Sequence, residues 1–204
     1  MGRKPRSSMN VIDTGNKLFP IFLKLDQIQT LVVGGGNVGL EKVEALVKND
    51  PLANIRVVAP FISDDLRAIA AHSPNIEIKR RHFLHADLKN IDLLILATDD
   101  FGLHQKVKQL ANQRHILVNV ADTPSLCDFY LGSTVKKGDL KIGISTNGKS
   151  PTFAKRFREV LEEALPDDTP ELLNKLKFIR DRLKGDFKSK VEKLNEITSV
   201  LVGK

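Results

Sequence analysis

The stretch that decides the fold is Thr30-Leu31-Val32-Val33-Gly34-Gly35-Gly36-Asn37-Val38-Gly39-Leu40-Glu41-Lys42. A short apolar run enters its glycine cluster, and a helical pattern leaves it. Gly34, Gly36 and Gly39 have the spacing G-x-G-x-x-G, in which the glycines allow a tight turn, a close approach to a pyrophosphate and close helix packing. The first amides of the helix would then face the phosphates, with the positive end of the helix dipole behind them. The alternative is a plain glycine-rich turn between a strand and a helix.

Apolar segments typical of buried parallel strands alternate with helical patterns around the glycine loop, which we define as residues 34–39. The predicted strands are residues 30–33, 55–59, 76–79, 91–97 and 116–120; the predicted helices are residues 38–49, 101–113 and a segment capped at Ser63 that ends near residue 71. Residues 17–25 form an edge strand or an extended lead-in, because Pro20 argues against a central strand. This order predicts an α/β fold, a Rossmann-like doubly wound parallel sheet.

The alternation stops after the fifth strand. Residues 129–135 and 140–145 predict a hairpin, Ser150-Pro151 predicts the start of a helix that runs to about residue 165, and charged amphipathic helices follow. We therefore predict a disordered basic tail (1–16), an NAD-binding Rossmann domain (17–115), the fifth strand with a dimerisation hairpin (116–148) and a C-terminal helical domain (149–204). The apolar face of the hairpin must be buried against another surface, and a second copy of the chain is the simplest partner. We therefore predict a symmetric homodimer.

The composition argues against several classes of protein. The 204 residues contain no apolar run near the roughly 18 residues of a spanning helix, and no signal peptide, so we expect no membrane association. The single cysteine, Cys127, favours a reducing cytoplasm and is interpreted as a small core residue. The net charge of +7 favours an anionic partner, which is either nucleic acid, a polycarboxylate or a phosphorylated cofactor. The lack of Trp and of basic runs interleaved with aromatic residues argues against nucleic acid.

Residues at the carboxyl ends of the predicted strands are candidates for a ligand site, because open α/β sheets bind ligands there. Ala59-Pro60 ends the second strand, where an acidic residue would bind the ribose of NAD, so the usual discriminator between NAD and NADP is missing. Thr98-Asp99-Asp100 follows the fourth strand and either lines the crevice or caps the next helix. Asp122 follows the fifth strand and is either a general acid or base or, as its neighbours favour, a turn aspartate.

Other polar residues give weaker signals. Ser145, Thr146 and Ser150 flank a glycine-containing loop before a helix, which predicts either an anion site or ordinary capping. His82 and His85 are accompanied by no cluster of Cys or carboxylate residues. A solvated pair is therefore favoured, and we expect no bound metal.

The order of several short motifs carries a family resemblance. They are Leu18-Phe19-Pro20-Ile21-Phe22-Leu23, Val57-Val58-Ala59-Pro60, Ala97-Thr98-Asp99-Asp100, Asn119-Val120-Ala121-Asp122, Leu126-Cys127-Asp128-Phe129, Lys137-Gly138-Asp139-Leu140, Ile144-Ser145-Thr146 and Lys149-Ser150-Pro151. Through residues 18–165 the chain resembles the precorrin-2 dehydrogenase and sirohydrochlorin ferrochelatase family, of the siroheme-synthase N-terminal type in its stand-alone form. Tyr130-Leu131-Gly132-Ser133 and Asn147-Gly148 depart from the usual family pattern near the tetrapyrrole pocket.

The resemblance implies oxidation of precorrin-2 to sirohydrochlorin with NAD⁺ as hydride acceptor, insertion of ferrous iron in some members, and a homodimer. It also implies that Asp122 is catalytic. The predicted cofactor-binding residues are Gly34, Gly36, Asn37, Val38, Gly39, Ala59, Pro60, Thr98 and Asp99, and the predicted substrate-binding residues are Ser133, Ser145 and Thr146. The competing hypothesis is a non-catalytic protein that senses NAD(H). No helix-turn-helix pattern supports a DNA-binding version of it.

Overall fold

A five-stranded parallel sheet lies at the centre of the first of two units. The computed structural model describes residues 15–199 of the chain. The first unit is residues 21–131, and the second is residues 132–199 together with the segment 15–20. The predicted basic tail falls almost entirely on residues 1–14, which lie outside the described residues.

The strands of the sheet are β1 (Gln29–Val33), β2 (Asn54–Val58), β3 (Ile76–Lys79), β4 (Leu93–Leu96) and β5 (Leu117–Val120). Their order is β3-β2-β1-β4-β5, and every neighbouring pair is parallel. The chain moves outward from β1 to β3, crosses back to β4 and then moves outward on the other side. The predicted parallel sheet is confirmed, and its topological switch point lies between β1 and β4.

Three helices cover the two faces of the sheet: α1 (Asn37–Asn49), α2 (Asp64–His72) and α3 (Phe101–Asn112). Side chains alternate between the faces along a strand. Val32 of β1 belongs to one core cluster with Val43 of α1 and Leu66 of α2. Its neighbour Leu31 belongs to the other cluster with Val107 of α3. Both faces are therefore covered, which confirms the doubly wound arrangement that the nearly continuous apolar strands predict.

Two segments show where the sequence pattern was ambiguous. Residues 15–24 form no regular secondary structure, so the segment around Pro20 is a lead-in rather than an edge strand. β5 pairs with β4 inside the first unit, whereas the sequence-based division groups this strand with the hairpin. The spacing of apolar runs along the chain does not reveal such a pairing between distant strands. The four predicted regions stay a prediction.

The second unit consists of a hairpin and three helices. The hairpin pairs β6 (Ser133–Lys137) with β7 (Leu140–Ile144), and the helices are α4 (Pro151–Ala164), α5 (Thr169–Arg182) and α6 (Phe187–Thr198). Ser150 caps α4, because its Oγ accepts a hydrogen bond from the Phe153 amide at 3.1 Å, and Pro151 is the first helical residue, as predicted. The hairpin starts later than the predicted residue 129, because the Phe129 carbonyl accepts a hydrogen bond from Asn119 of β5 at 2.9 Å.

The second unit has a thin core of its own. Within residues 132–199 the apolar side chains that are buried are Val135 and Ala154. Helices α5 and α6 bury none of their residues. The other apolar residues of this range are thus only half-buried or exposed.

A buried ion pair fixes the connection between β3 and β4. Asp87 has 3% of its surface exposed. Arg81 donates to it twice, from Nη1 to Oδ2 at 2.7 Å and from Nη2 to Oδ1 at 2.6 Å, and the Leu84 amide donates to Oδ2 at 2.8 Å. The hydrogen bonds from Arg81 hold the pKa of Asp87 below its usual range, although burial opposes them. The pair thereby ties the end of β3 to the 3₁₀ turn His85–Leu88.

Replacing Asp87 with asparagine is expected to lower the free energy of unfolding at pH 7 by about 2 kcal/mol, because charged hydrogen bonds of this kind contribute roughly 1.5–3 kcal/mol. A carboxyl group whose folded pKa is lowered stabilises the fold above its unfolded pKa, and this contribution is lost as the pH falls through the folded value. Urea unfolding at pH 7 and at about pH 3 should therefore show a smaller difference from wild type in acid.

The matched control is Glu44→Gln, because Glu44 is an exposed carboxylate on α1. This variant should change the unfolding free energy little at either pH. An Asp87→Asn variant that is equally destabilised at both pH values would contradict the role of the ion pair.

Candidate functional site

The ends of the sheet strands enclose a cleft of about 210 Å³ in the first unit. We term it the strand-end cleft, and its lining residues are Val38, Ala97, Thr98, Asp99, Phe101, His104, Ala121, Asp122 and Thr123. Val38 comes from the first turn of α1, and the other residues follow β4 and β5. Four predicted site residues are brought together here: Val38, Thr98, Asp99 and Asp122. They lie near the switch point, where open α/β sheets bind ligands.

Two glycines of the glycine loop hold the backbone at close approach. Gly34 has φ +123°, and a Cβ on it would lie 2.1 Å from the carbonyl oxygen of Ala97. A Cβ on Gly39 would lie 2.2 Å from the carbonyl oxygen of Gly34. Both contacts are with backbone, so no side-chain rotation could relieve them. Gly34 therefore brings β1 close to the end of β4, and Gly39 brings α1 close to β1.

Gly36 is different, because a Cβ on it would meet no atom within 4 Å. The protein itself would tolerate a side chain there. Gly36 is the N-cap of α1 and offers no side-chain hydrogen bond, and the first turn, which begins at exposed Asn37, contains no acidic residue. The open space and the uncapped amides fit the diphosphate of a dinucleotide, which helix N-termini bind through backbone N–H groups.

Gly35 was not predicted as a site residue. A Cβ on it would lie 2.3 Å from the carbonyl oxygen of Phe61, and the Ser63 amide donates to the Gly35 carbonyl at 2.8 Å. We term residues 59–61 the β2 tip; Ala59 is buried, whereas Pro60 and Phe61 are exposed. The β2 tip therefore packs directly beside the glycine loop. The run of three glycines was the available signal, but its middle member lies outside the standard spacing.

The two predicted roles of the segment after β4, capping the next helix and lining the cleft, belong to different residues. Asp100 caps α3, because its Oδ1 accepts a hydrogen bond from the Leu103 amide at 2.9 Å. Asp99 is exposed and lines the strand-end cleft beside Thr98. The chain thus uses one carboxylate for capping and leaves its neighbour for the cleft.

His104 lines the cleft, although no sequence pattern predicted it as a site residue. It is 4% exposed, its Nε2 lies 2.9 Å from Oγ1 of Thr98, and its buried Nδ1 has no partner among residues 15–199. Burial lowers the pKa of His104, although the charges of Asp100 and Asp99 oppose that shift. A neutral imidazole therefore holds the hydroxyl of Thr98 at the wall of the cleft. The available signal was its position four residues after the helix cap Asp100.

Asp122 lies in the turn that follows β5. It has φ +54°, a left-handed conformation that aspartate adopts more readily than most residues. The turn is closed by the Thr123 amide, which donates to the Val120 carbonyl at 3.3 Å. The side chain of Asp122 is exposed, and its carboxylate accepts no hydrogen bond from within the described part of the chain. This carboxylate is therefore available to take a proton from a ligand in the cleft.

The predicted substrate-binding residues lie in the second unit. Ser133 is the first residue of β6, opposite Ile144. Oγ of Ser145 accepts hydrogen bonds from the Asn147 amide at 3.2 Å and from Asn16 at 3.1 Å. Oγ1 of Thr146 accepts a hydrogen bond from the Ser150 amide at 3.2 Å. These hydroxyls shape the loop before α4, as expected if the segment serves ordinary helix capping. Their role towards a substrate stays a prediction.

Cys127 is more than a small apolar residue. It is half-buried, and its Sγ accepts a hydrogen bond from the Val120 amide at 3.2 Å and donates to the Val120 carbonyl at 3.3 Å. The thiol therefore pairs with the backbone at the end of β5.

Across residues 15–199 no three residues of the types His, Cys, Asp and Glu are grouped so that they could hold a metal ion. Over the same range, every helix is too short or too polar to span a membrane.

Comparisons with known proteins give the family. A family model described as putative NAD(P)-binding matches residues 21–133, which are more than half of the chain. A second family model, described as the sirohaem biosynthesis protein central region, matches residues 137–164. The siroheme synthase of Psychrobacter arcticus is 36% identical over 176 residues, which are 86% of this chain and 31% of that protein. The siroheme synthase of Pseudoalteromonas translucida is 38% identical over 83% of this chain and 35% of that protein. The chain thus spans about a third of the length of these curated relatives.

A solved structure has the same fold over nearly its whole length. It is described as SirC, precorrin-2 dehydrogenase, and is similar with a TM-score of 0.68 and 28% sequence identity, covering 88% of this chain and 89% of that chain. These similarities agree with the motifs from which the family was predicted. The chain therefore belongs to the putative NAD(P)-binding family, and it is similar to siroheme synthases and to a precorrin-2 dehydrogenase.

Proposed function

We propose that the chain oxidises precorrin-2 to sirohydrochlorin with NAD⁺ as hydride acceptor, in the biosynthesis of siroheme. The observation that carries the proposal is the strand-end cleft, in which Asp122 lies with Thr98 and Asp99 in the same unit as a glycine loop that fits a dinucleotide. The similar solved structure is described as a precorrin-2 dehydrogenase, and the curated relatives are siroheme synthases.

The glycine loop and the first turn of α1 would hold the cofactor. The space at Gly36 admits the diphosphate, and the uncapped amides from Asn37 onward donate to it. When bound, NAD⁺ supplies the acceptor for a hydride. Val38, Thr98 and Asp99 line the adjoining cleft, and the Thr98 hydroxyl is held by His104.

Asp122 would take the proton. The oxidation removes a hydride and a proton from the substrate, so a base is needed beside the hydride acceptor. Asp122 is exposed in the cleft, and its carboxylate has no competing hydrogen bond from the described residues. Both features leave the carboxylate free to approach a proton of the substrate, as a general base must.

The second unit supports the substrate class. Precorrin-2 is a polycarboxylate, and the chain carries a net charge of +7. The hairpin, α4 and the loop between them contribute the cations Lys136, Lys137, Lys141, Lys149, Lys155, Arg156 and Arg158. Three of these cations, Lys137, Arg156 and Arg158, form ion pairs with carboxylates. A surface of this sign attracts a polyanion. We propose that Ser133, Ser145 and Thr146, which lie in this basic segment, belong to the substrate-binding side.

The proposal is tested by anaerobic incubation of the chain with precorrin-2 and NAD⁺ in the absence of iron. The expected result is one NADH for each sirohydrochlorin, followed through the visible spectrum. Ferrous iron is then added, because the family resemblance predicts insertion in some members, and the rate is compared with that of spontaneous insertion. Binding of NAD⁺ without formation of NADH would overturn the dehydrogenase and favour the NAD(H)-sensing protein.

Asp122→Asn is expected to lower kcat by about 10²–10⁴-fold, because this is the range that general-base catalysis contributes. Asparagine has the same size and also tolerates the left-handed conformation, so the fold should persist. The affinity for NAD⁺, measured by calorimetry, should stay near that of wild type. The control is Asp26→Asn, an exposed aspartate that precedes β1. Unchanged turnover in Asp122→Asn would remove this residue from the mechanism.

Gly36→Ala is expected to weaken NAD⁺ binding by at least about tenfold, a loss of roughly 1.4 kcal/mol, while the melting temperature stays unchanged. The added methyl group meets no protein atom within 4 Å and would occupy the space proposed for the diphosphate. Gly143→Ala is the matched control, because a Cβ there also meets nothing within 4 Å and lies on β7. Wild-type affinity in Gly36→Ala would show that the diphosphate binds elsewhere.

We also propose that the chain forms a symmetric homodimer through its second unit. The support is the thin core, in which Val135 and Ala154 are buried among residues 132–199. On α4, Phe153 and Phe157 stack with ring centroids 5.8 Å apart and are 59% and 41% exposed. Exposed apolar surface of this kind is typical of an interface.

The single half-buried Cys127 agrees with a reducing, cytoplasmic compartment.

Sedimentation analysis is expected to give the mass of two chains for the wild type. Phe153→Glu should shift the equilibrium towards the single chain, because it places a charge in the proposed apolar interface. Lys155→Glu is the control on the same helix, since Lys155 is exposed and lies between the two phenylalanines. A wild-type protein that sediments as one chain at every concentration would refute the dimer.

A further inference from the structure

The β2 tip lacks the group that usually selects NAD. In dinucleotide folds an acidic residue at this position accepts hydrogen bonds from the ribose 2′-hydroxyl, whereas a nearby arginine accommodates the 2′-phosphate of NADP. Here the tip is Ala59, Pro60 and Phe61, none of which has a polar side chain. No side chain of the tip itself can therefore bind the 2′-hydroxyl, and none repels a phosphate.

An arginine from a different strand lies at this tip. Arg80 follows the last residue of β3, and its Nε donates a long hydrogen bond to the carbonyl oxygen of Pro60 at 3.5 Å. Its side chain is exposed, and no carboxylate within residues 15–199 forms an ion pair with it. The next residue, Arg81, is committed to buried Asp87 through two hydrogen bonds. Of the two adjacent arginines, one is structural and the other is available to a ligand.

The tip lies close to where a dinucleotide would bind. Phe61 contacts the glycine loop, because its carbonyl oxygen lies 2.3 Å from the Cβ position of Gly35. The Ser63 amide donates to the carbonyl of Gly35 at 2.8 Å. The 2′ position of a bound cofactor is one ribose away from the diphosphate. A diphosphate at the glycine loop therefore places this position beside the β2 tip.

Neighbouring charges are mostly engaged with each other. Glu77 accepts a hydrogen bond from Arg56 at 2.7 Å and lies 3.3 Å from Lys79. At the start of α2, Asp64 forms an ion pair with Arg67, and Asp65 is exposed to solvent. Arg80 is thus the cation at the tip whose charge is not already matched by a carboxylate of the described residues.

We propose that Arg80 binds the adenosine 2′-phosphate, so that the site accepts NADP as well as NAD. The inference rests on the cofactor site of the proposed function but not on precorrin-2, and its test uses binding alone. Failure of the dehydrogenase assay would not contradict binding of the 2′-phosphate by Arg80. Failure to bind NADP⁺ would not contradict the dehydrogenase.

The test is calorimetric titration of the full chain with NAD⁺, NADP⁺, 5′-AMP and 2′,5′-ADP. For the wild type, NADP⁺ should bind within about tenfold of NAD⁺, and 2′,5′-ADP should bind more tightly than 5′-AMP. Arg80→Ala and Arg80→Glu should weaken the binding of NADP⁺ by about 10–100-fold, because a charged hydrogen-bond donor is lost. The affinity for NAD⁺ should change little. Arg80→Lys, which keeps the charge, should restore part of the affinity for NADP⁺.

Arg114→Ala is the matched control. Arg114 is also an exposed arginine that donates to a carbonyl oxygen, that of Leu110 at 3.1 Å, but it precedes β5 at the opposite edge of the sheet. It should leave both affinities unchanged. NADP⁺ binding more than about 100-fold weaker than NAD⁺ in the wild type would overturn the proposal. So would equal losses of NAD⁺ and NADP⁺ affinity in the Arg80 variants, or an equal loss of NADP⁺ affinity in Arg114→Ala.

Discussion

The close approach of three backbone segments at Gly34 and Gly39 is the constraint on which the first unit depends. A Cβ would lie 2.1 Å from the Ala97 carbonyl at the first glycine and 2.2 Å from the Gly34 carbonyl at the second. The contact lets α1 begin directly at the end of β1, beside the ends of β4 and β5. The uncapped first turn of α1 then faces the strand-end cleft. One steric requirement thus sets both the packing of the sheet and the position of the strand-end cleft.

Two pairs of adjacent residues of like charge in this unit each contain one residue with a fixed partner and one that is exposed. Asp100 caps α3, and Asp99 is left for the cleft. Arg81 neutralises buried Asp87, and Arg80 is left exposed at the β2 tip. A buried charge such as that of Asp87 must be satisfied by a fixed partner, because the cost of leaving it unpaired is large. One residue of each pair has such a partner, and its neighbour of the same charge is exposed to solvent.

The sequence predicts most of the first unit, because apolar runs and glycines act over a few residues. The parallel sheet, its helices and the cap at Ser63 follow from such local patterns. The pattern could not decide between the two roles of the segment Asp99-Asp100, since both depend on the direction of a side chain. His104 and Arg80 were not predicted at all. Their contacts, with Thr98 and Pro60, arise only when the helix and the strand have packed.

The two units differ in how they bury apolar surface. In the first unit the central strands β1 and β4 are buried on both sides, and helices cover both faces of the sheet. In the second unit apolar residues recur at helical spacing, which yields one stripe for each helix, and the unit has one short hairpin to cover them. Burying apolar area stabilises by roughly 25 cal/mol per Å². Stripes that stay exposed within the chain therefore favour a cover from outside it, and a second copy supplies the same stripe in the complementary position.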